Sequence, residues 1–208
     1  MPRPEAVIFD IGNVLITWNP ERIYDQVMPD RAARERLFDT VDLHGMNDRI
    51  DRGAPFRDTV YSVAQAYPEY EALIRLWHDR WIEMASPPIE ASWQILRGLR
   101  GRGIPVFALS NFGIDSFAHA ETHYPQLGEF DRRFISGHMG VIKPEARIYE
   151  MVEEATGLSG QQIFFTDDRI DNLEAAAARG WQTYRFADPG SGPAGLAEAL
   201  RCAGLPVA

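Results

Sequence analysis

The run Val7-Ile8-Phe9-Asp10-Ile11-Gly12-Asn13-Val14-Leu15 constrains this chain more than any other stretch. Val7-Ile8-Phe9 is short, β-branched and aromatic, the signature of a strand buried on both faces. A lone carboxylate ends it. In open parallel sheets the carboxyl ends of the strands are where ligands and chemistry collect, so Asp10 stands at a functional edge. Gly12, with no Cβ, allows the chain to turn tightly behind it. The same residues also fit a strand that closes in an ordinary Asx turn, and the rest of the chain decides between the two.

Downstream, the pattern alternates. Ile104-Pro105-Val106-Phe107-Ala108-Leu109 predicts a second buried strand, with proline at its start where it is tolerated. Further strands are expected within residues 130–136, at 163–165 and at 181–186. Helices are expected at 89–99, 114–123, 145–155, 172–179 and 195–203. Strands alternating with helices imply right-handed crossovers and a parallel sheet covered on both faces, an α/β fold. Residues 18–86 break that rhythm. There Ile23, Val27, Leu37, Phe38, Val41, Phe56, Val60, Val63, Ala64, Leu73, Leu76, Trp77, Trp81 and Met84 recur at helical spacing and no strand is expected. Asn19 is a candidate N-cap and Pro20 a first helical residue. The expected organisation is a core from residues 1–17 and 87–208, with an all-helical cap inserted at 18–86. Trp77 and Trp81, four apart, read as cap core. Trp18 fits either core packing or a site entrance, and Arg49 and Arg52 fit a solvated face.

A chain of 208 residues suits one core with an insertion. The formal charge of −9 argues against a general nucleic-acid coat. No apolar run is long enough to cross a bilayer, and the start of the chain lacks a signal-peptide pattern. Cys202 is the single cysteine, which fits a reducing compartment; a cytoplasmic location is expected. Cys202 itself reads as a small apolar helix residue.

Polar groups gather at one edge. Asp10, Ser110-Asn111 and Asp167-Asp168 each follow a separate buried strand, and Lys143 precedes a helix entered through Pro144. Three carboxylates in that geometry repel one another and need a cation. All-oxygen ligands select a hard one such as Mg²⁺. Ser110, Asn111 and Lys143 offer hydroxyl, amide and ammonium donors to an anion such as phosphate.

These residues resemble the motifs of the haloacid dehalogenase superfamily, in particular its phosphatase-like branch with a helical cap after the first strand. Phe9-Asp10-Ile11-Gly12-Asn13-Val14-Leu15 is similar to the first motif, Leu109-Ser110-Asn111 to the second and Lys143-Pro144 to the third. Phe165-Thr166-Asp167-Asp168, with Asp171-Asn172 behind it, is similar to the fourth. The resemblance runs over essentially the whole chain and implies a Rossmann-like core. It implies that Asp10 is a nucleophile that forms an aspartyl-phosphate. It also implies Mg²⁺ held by Asp10, the Gly12 carbonyl and Asp168, with Asp167 close by or water-mediated. Ser110 and the Asn111 amide would bind the phosphoryl group, and Lys143 would offset its charge. Asp171 and Asn172 would orient water or Lys143.

One position departs from that pattern. Most phosphatases of the superfamily carry a second Asp two residues after the nucleophile, to protonate the leaving oxygen and then activate water. Here Gly12 stands there, and such help is worth about 10²–10⁴ in rate. His44 or Asp48, from the polar cluster His44-Gly45-Met46-Asn47-Asp48-Arg49, or a metal-bound water, is expected to replace it. One branch with a similar Asp-x-Gly-Asn-Val motif hydrolyses sugar phosphates. The function implied is therefore Mg²⁺-dependent hydrolysis of a small, sugar-phosphate-like monoester, with good leaving groups cut faster. Two-haloacid dehalogenases also lack the second Asp and need no metal. The Asp167-Asp168 pair favours the phosphatase, since uncompensated carboxylates oppose a carboxylate substrate. A non-catalytic module binding Mg²⁺ and phosphate, or a phosphomutase, fits the same residues.

Overall fold

The computed structural model describes residues 2–207. Among them, β1 (Ala6–Phe9), β4 (Val106–Ser110), β5 (Arg132–Ile135), β6 (Ile163–Asp167) and β7 (Gln182–Arg185) form a parallel sheet in the order β5-β4-β1-β6-β7. Every residue of β1, β4 and β6 is buried, as near-continuous apolar runs require when both faces are covered. Alternate strand residues feed two apolar layers. Val7, Phe9, Val106 and Ala108 pack with Trp93, Leu96 and Leu99 of α7 (Glu90–Arg100) and Leu196 and Leu200 of α12 (Gly192–Cys202). Ile8, Phe107, Leu109 and Phe165 pack with Ile148, Tyr149 and Val152 of α10 (Ala146–Thr156) and Leu173 of α11 (Ile170–Ala178). The remaining core helices are α8 (Ile114–His123) and the short α9 (Ser136–Met139).

Register places the site. Phe9 lies opposite both Ala108 and Thr166, so the chain emerges from the three central strands at one level. Asp10, Ser110 and Asp167 are the residues that stand there.

The segment after β1 holds a feature that the periodicity did not predict. β2 (Ile16–Trp18) and β3 (Ala85–Pro88) pair as an antiparallel ribbon that straddles the expected boundaries at 18 and 86. Strands of three and four residues, one ending in two prolines, carry too little alternation to read. Between them run α1 (Glu21–Val27), α2 (Arg31–Val41), α3 (Leu43–Asp51), α4 (Phe56–Ala66), α5 (Glu71–Asp79) and α6 (Trp81–Met84). Their apolar faces converge on Tyr24, Leu37, Met46, Val60, Ile74 and Trp77, all fully buried and continuous with the α7 layer. Arg22 braces the ribbon through the Glu83 carbonyl at 2.9 Å and Ser86 Oγ at 3.0 Å. Asn19 is not the N-cap: its carbonyl accepts from the Arg22 N–H at 3.3 Å, and Pro20, already with helical torsions, takes the N-cap position without a side-chain bond.

The inserted helices rest on the core at the end of α3. Ser136 Oγ donates to the Asp51 carbonyl at 2.6 Å, the Phe56 N–H donates to Asp115 at 3.0 Å, and Arg52 pairs with Glu145 at 2.5 Å. Arg52 is exposed, as expected of a solvated face, and reaches Glu145 from there. Gly53 sits at φ 104°, where a Cβ would come within 2.7 Å of the Gly137 carbonyl, so only glycine fits this seam. Cys202, expected as a small apolar helix residue, lies on α12 and is exposed beside Glu198. No helix among the described residues is long and apolar enough to cross a membrane.

Candidate active site

The loop behind β1 turns at Asn13 and not at Gly12. Asn13 takes the left-handed conformation, φ 54°, which asparagine tolerates better than most residues. Its N–H donates to the Ile16 carbonyl at 2.7 Å, and its Oδ1 accepts from the Trp18 N–H at 2.9 Å. Its Nδ2 then reaches across to Asp168 Oδ2 at 2.9 Å. Gly12 has no positive φ, and a Cβ there would meet only Trp18 Cβ at 3.8 Å, an ordinary contact.

Asp10 Oδ1 accepts from its neighbour's N–H and from Ser110 Oγ, both at 2.7 Å, and lies 3.1 Å from Lys143 Nζ. Lys143 is only 2% exposed and also donates to Asp167 Oδ2 at 2.6 Å and the Leu109 carbonyl at 2.9 Å. Asp167 is fully buried; the Asn172 amide donates to both its oxygens at 3.0 Å and the Arg169 N–H to one at 2.8 Å. Asn111 exchanges two hydrogen bonds with the Lys143 backbone, at 2.7 and 2.9 Å. Its side chain thus fixes the lysine loop and is not free for an anion. Asp171 pairs with Arg169 at 2.6 Å. Asn172 acts on Asp167 and not on the lysine.

The charges do not balance within the protein. Asp10, Asp167 and Asp168 bring ligand oxygens within 4.8 Å of one another. Among the described residues Lys143 alone forms ion pairs with them, so three carboxylates face one ammonium. Burial pushes the Asp10 carboxyl up to about 7; Lys143 pulls it down, while Asp167 and Asp168 add to the rise. Burial likewise raises Asp168. Burial opposes the charge on Lys143, but the Asp10 and Asp167 carboxylates hold its pKa above the ordinary lysine value. A divalent cation supplies the two missing charges, and the all-oxygen donor set suits a hard one. Asp167 is spent on Lys143, Asn172 and Arg169. Asp10 Oδ2 and Asp168 Oδ1 accept none of the bonds described, and the Gly12 backbone borders the same space. These residues fit Mg²⁺. Saturating Mg²⁺ is expected to raise the thermal midpoint by the equivalent of about 2.7 kcal/mol at a hundredfold excess over Kd. EDTA should reverse the rise and Asp168→Ala should remove it, as read by scanning calorimetry.

This cluster forms the floor of a cavity of about 570 Å³. Trp18, Trp77, Trp81 and Phe112 form apolar wall, and His44, Asn47, Asp48 and Asp51 line it with polar groups. Trp18 therefore borders the site. Trp77 and Trp81 are buried as cap-type core and line the cavity as well. His44 is exposed and lies against Phe38 and Trp77 with ring centres 5.4 and 6.2 Å away; Asp48 is exposed too.

The buried carboxyl here is Asp51, which sequence reasoning missed. Asn47 Nδ2 donates to it at 2.8 Å, and Asn47 Oδ1 accepts from Trp77 Nε1 at 3.1 Å. The signal was present: Asp51 follows Ile50 on a helix whose apolar residues are Leu43, Met46 and Ile50, and lies four after Asn47. Burial pushes Asp51 up to about 7. A folded pKa above the unfolded one costs stability as pH rises from about 4 through 7. Asp51→Asn should therefore unfold at a higher temperature than the parent at pH 8, with the gap closing by pH 4.

A model of haloacid dehalogenase-like hydrolases matches residues 4–180. The chain belongs to this family. A sesquiterpene phosphatase of Aspergillus oryzae is 25% identical over 188 residues, 85% of this chain and 86% of that one. Among solved folds, a family enzyme of Bacteroides thetaiotaomicron in complex with magnesium and inorganic phosphate superposes with a TM-score of 0.63. It is 20% identical, over 88% of this chain and 93% of that one. The L-2-haloacid dehalogenase of Xanthobacter autotrophicus superposes at 0.63 with 19% identity, over 88% and 78%. The hydrolase thus has the family's α/β fold, with helices inserted behind β1.

Proposed function

We propose that this hydrolase cleaves small-molecule phosphomonoesters, sugar-phosphate-like in size and polarity, in a Mg²⁺-dependent reaction through a phosphoryl group carried on Asp10. The observation that carries this reading is the buried cluster of Asp10, Lys143, Asp167 and Asp168 at the carboxyl ends of β1 and β6. Asp10 is held by Ser110 and Lys143, and its carboxylate is the attacking group. Lys143 and the Asn111 backbone receive the phosphoryl oxygens, Ser110 holds Asp10, and Asn172 and Lys143 keep Asp167 in place. Asp10, the Gly12 carbonyl and Asp168 would hold Mg²⁺, with Asp167 through water. The ion, when bound, neutralises the phosphoryl oxygens and aligns them for in-line attack.

Residues 18–86 serve as a cap over this floor, and 1–17 with 87–208 as the catalytic core. The cap side sets the substrate body. Three indoles supply flat apolar faces, and Asp48 offers an acceptor to hydroxyl groups. The cations on the cavity wall are Lys143 and Arg169, and Arg169 is held by Asp171. That favours one phosphoryl group on an uncharged body over a nucleotide or bisphosphate. The Aspergillus relative, named as a phosphatase, and the magnesium and phosphate of the Bacteroides neighbour support the chemistry.

Phosphate release from sugar, aryl and nucleoside monophosphates, with Mg²⁺ or EDTA, beside halide release from 2-haloacids, tests the reading. Metal-dependent phosphate release from the sugar and aryl esters is expected. Halide release in EDTA would overturn it in favour of a dehalogenase, and silence in both would leave a binding module.

A further inference from the structure

We infer that Asp51 is the acid–base group of this reaction, giving a proton to the leaving ester oxygen and then taking one from the attacking water. The inference rests on the phosphomonoesterase reading above. The need for such a group arises at Gly12, which has no side chain to do this work. Asn13 beside it is spent on Asp168 and the Trp18 N–H, and an amide has no proton of suitable acidity to give.

Asp51 ends α3 where the inserted helices rest on the core, and it lines the same cavity as Asp10, Ser110 and Lys143. Its position is fixed twice. Its carbonyl accepts from Ser136 Oγ at 2.6 Å, and its Oδ2 accepts from Asn47, which Trp77 holds in turn. Its chain neighbour Arg52 is taken by Glu145, and among the described residues Asp51 has no ion-pair partner. His44 and Asp48, the other candidates on the helix, are exposed, whereas Asp51 is 8% exposed. Burial favours its neutral form, the Asp48 and Asp10 charges add to that, and the Gly113 N–H and Lys143 act in the other sense. A carboxyl held near neutral protonates and deprotonates with equal ease, which is what a group working in both directions needs.

The steps balance. One Asp10 carboxylate oxygen forms a bond to phosphorus as the ester P–O bond breaks; the Asp51 proton goes to the leaving oxygen and an alcohol departs. Water then attacks phosphorus and gives a proton to the Asp51 carboxylate. The Asp10–phosphorus bond breaks, which releases inorganic phosphate and restores both side chains.

A leaving-group series tests this, with phosphate monoesters from nitrophenol through simple phenols to alkyl alcohols at saturating Mg²⁺. Asp51→Asn should lower kcat/KM for alkyl esters by about 10²–10⁴-fold and for the nitrophenyl ester at least tenfold less. The slope of log kcat/KM against leaving-group pKa should therefore steepen. Adding Gly12→Asp, where a Cβ meets only Trp18 Cβ at 3.8 Å, should make the slope shallow again. A thermal midpoint no lower than the parent's at pH 7 would show that the variant folds. An equal loss across the series would overturn the role of Asp51, as would steepening in His44→Ala or Asp48→Asn instead. A parent enzyme silent on every ester would overturn the phosphomonoesterase reading itself.

Discussion

Asp10→Asn is expected to lower phosphate release by about 10⁴-fold or more while the fold survives. Loss of a nucleophile removes the covalent route, and what remains comes from binding and electrostatics alone. The amide is isosteric and still accepts from Ser110, which donates to Asp10 at 2.7 Å. It also removes a buried charge. With its carboxyl raised to about 7, Asp10 costs the metal-free protein stability as pH rises from about 4 through 7. Metal-free Asp10→Asn should therefore unfold no earlier than the parent at pH 8, and gain less from Mg²⁺, since one ligand charge is gone. Calorimetry with and without Mg²⁺, beside steady-state phosphate release, reads both. A loss of activity under tenfold would place the nucleophile elsewhere.

Lys143→Met should be the most destabilising single change in the site. The methionine fills much of the same volume, so the effect is electrostatic. It leaves fully buried Asp167 and nearly buried Asp10 without their ammonium, at 2.6 and 3.1 Å. Breaking a buried pair by removing one partner costs about 3–5 kcal/mol. In a domain of this size that is a fall of about 6–20 °C in thermal midpoint. Activity should vanish with it. Saturating Mg²⁺ should return part of the midpoint, because the ion compensates the same carboxylates. An unchanged midpoint would mean that the three carboxylates do not share the field drawn here.

The core was legible because its strands are buried on both faces. Val7-Ile8-Phe9 and Ile163-Phe164-Phe165 announce themselves as apolar runs, and the acids behind them mark the carboxyl ends. The ribbon of β2 and β3 was not legible, since Ile16-Thr17-Trp18 and Ala85-Ser86-Pro87-Pro88 are too short to show a period. Gly12 suggested a tight turn, yet the left-handed torsion falls on Asn13, whose side chain then reaches Asp168. That link spans the chain from one motif to another and has no local signature. Asn111 illustrates the same limit. Its residue type announced a donor to an anion, but the fold turns it onto the Lys143 backbone. Asp51 was hidden for a different reason: a single carboxylate beside apolar helix positions looks like the edge of the polar face until the core closes over it.

In the proposed reaction Asp10 carries the phosphoryl group. Mixing the enzyme and Mg²⁺ with a radiolabelled phosphate monoester, quenching in acid within milliseconds and mapping the labelled peptide tests it directly. Label on the peptide that contains Asp10, and none in Asp10→Asn, is the predicted result. Phosphate release with no label on the protein at any quench time would exclude a phosphoryl group on Asp10.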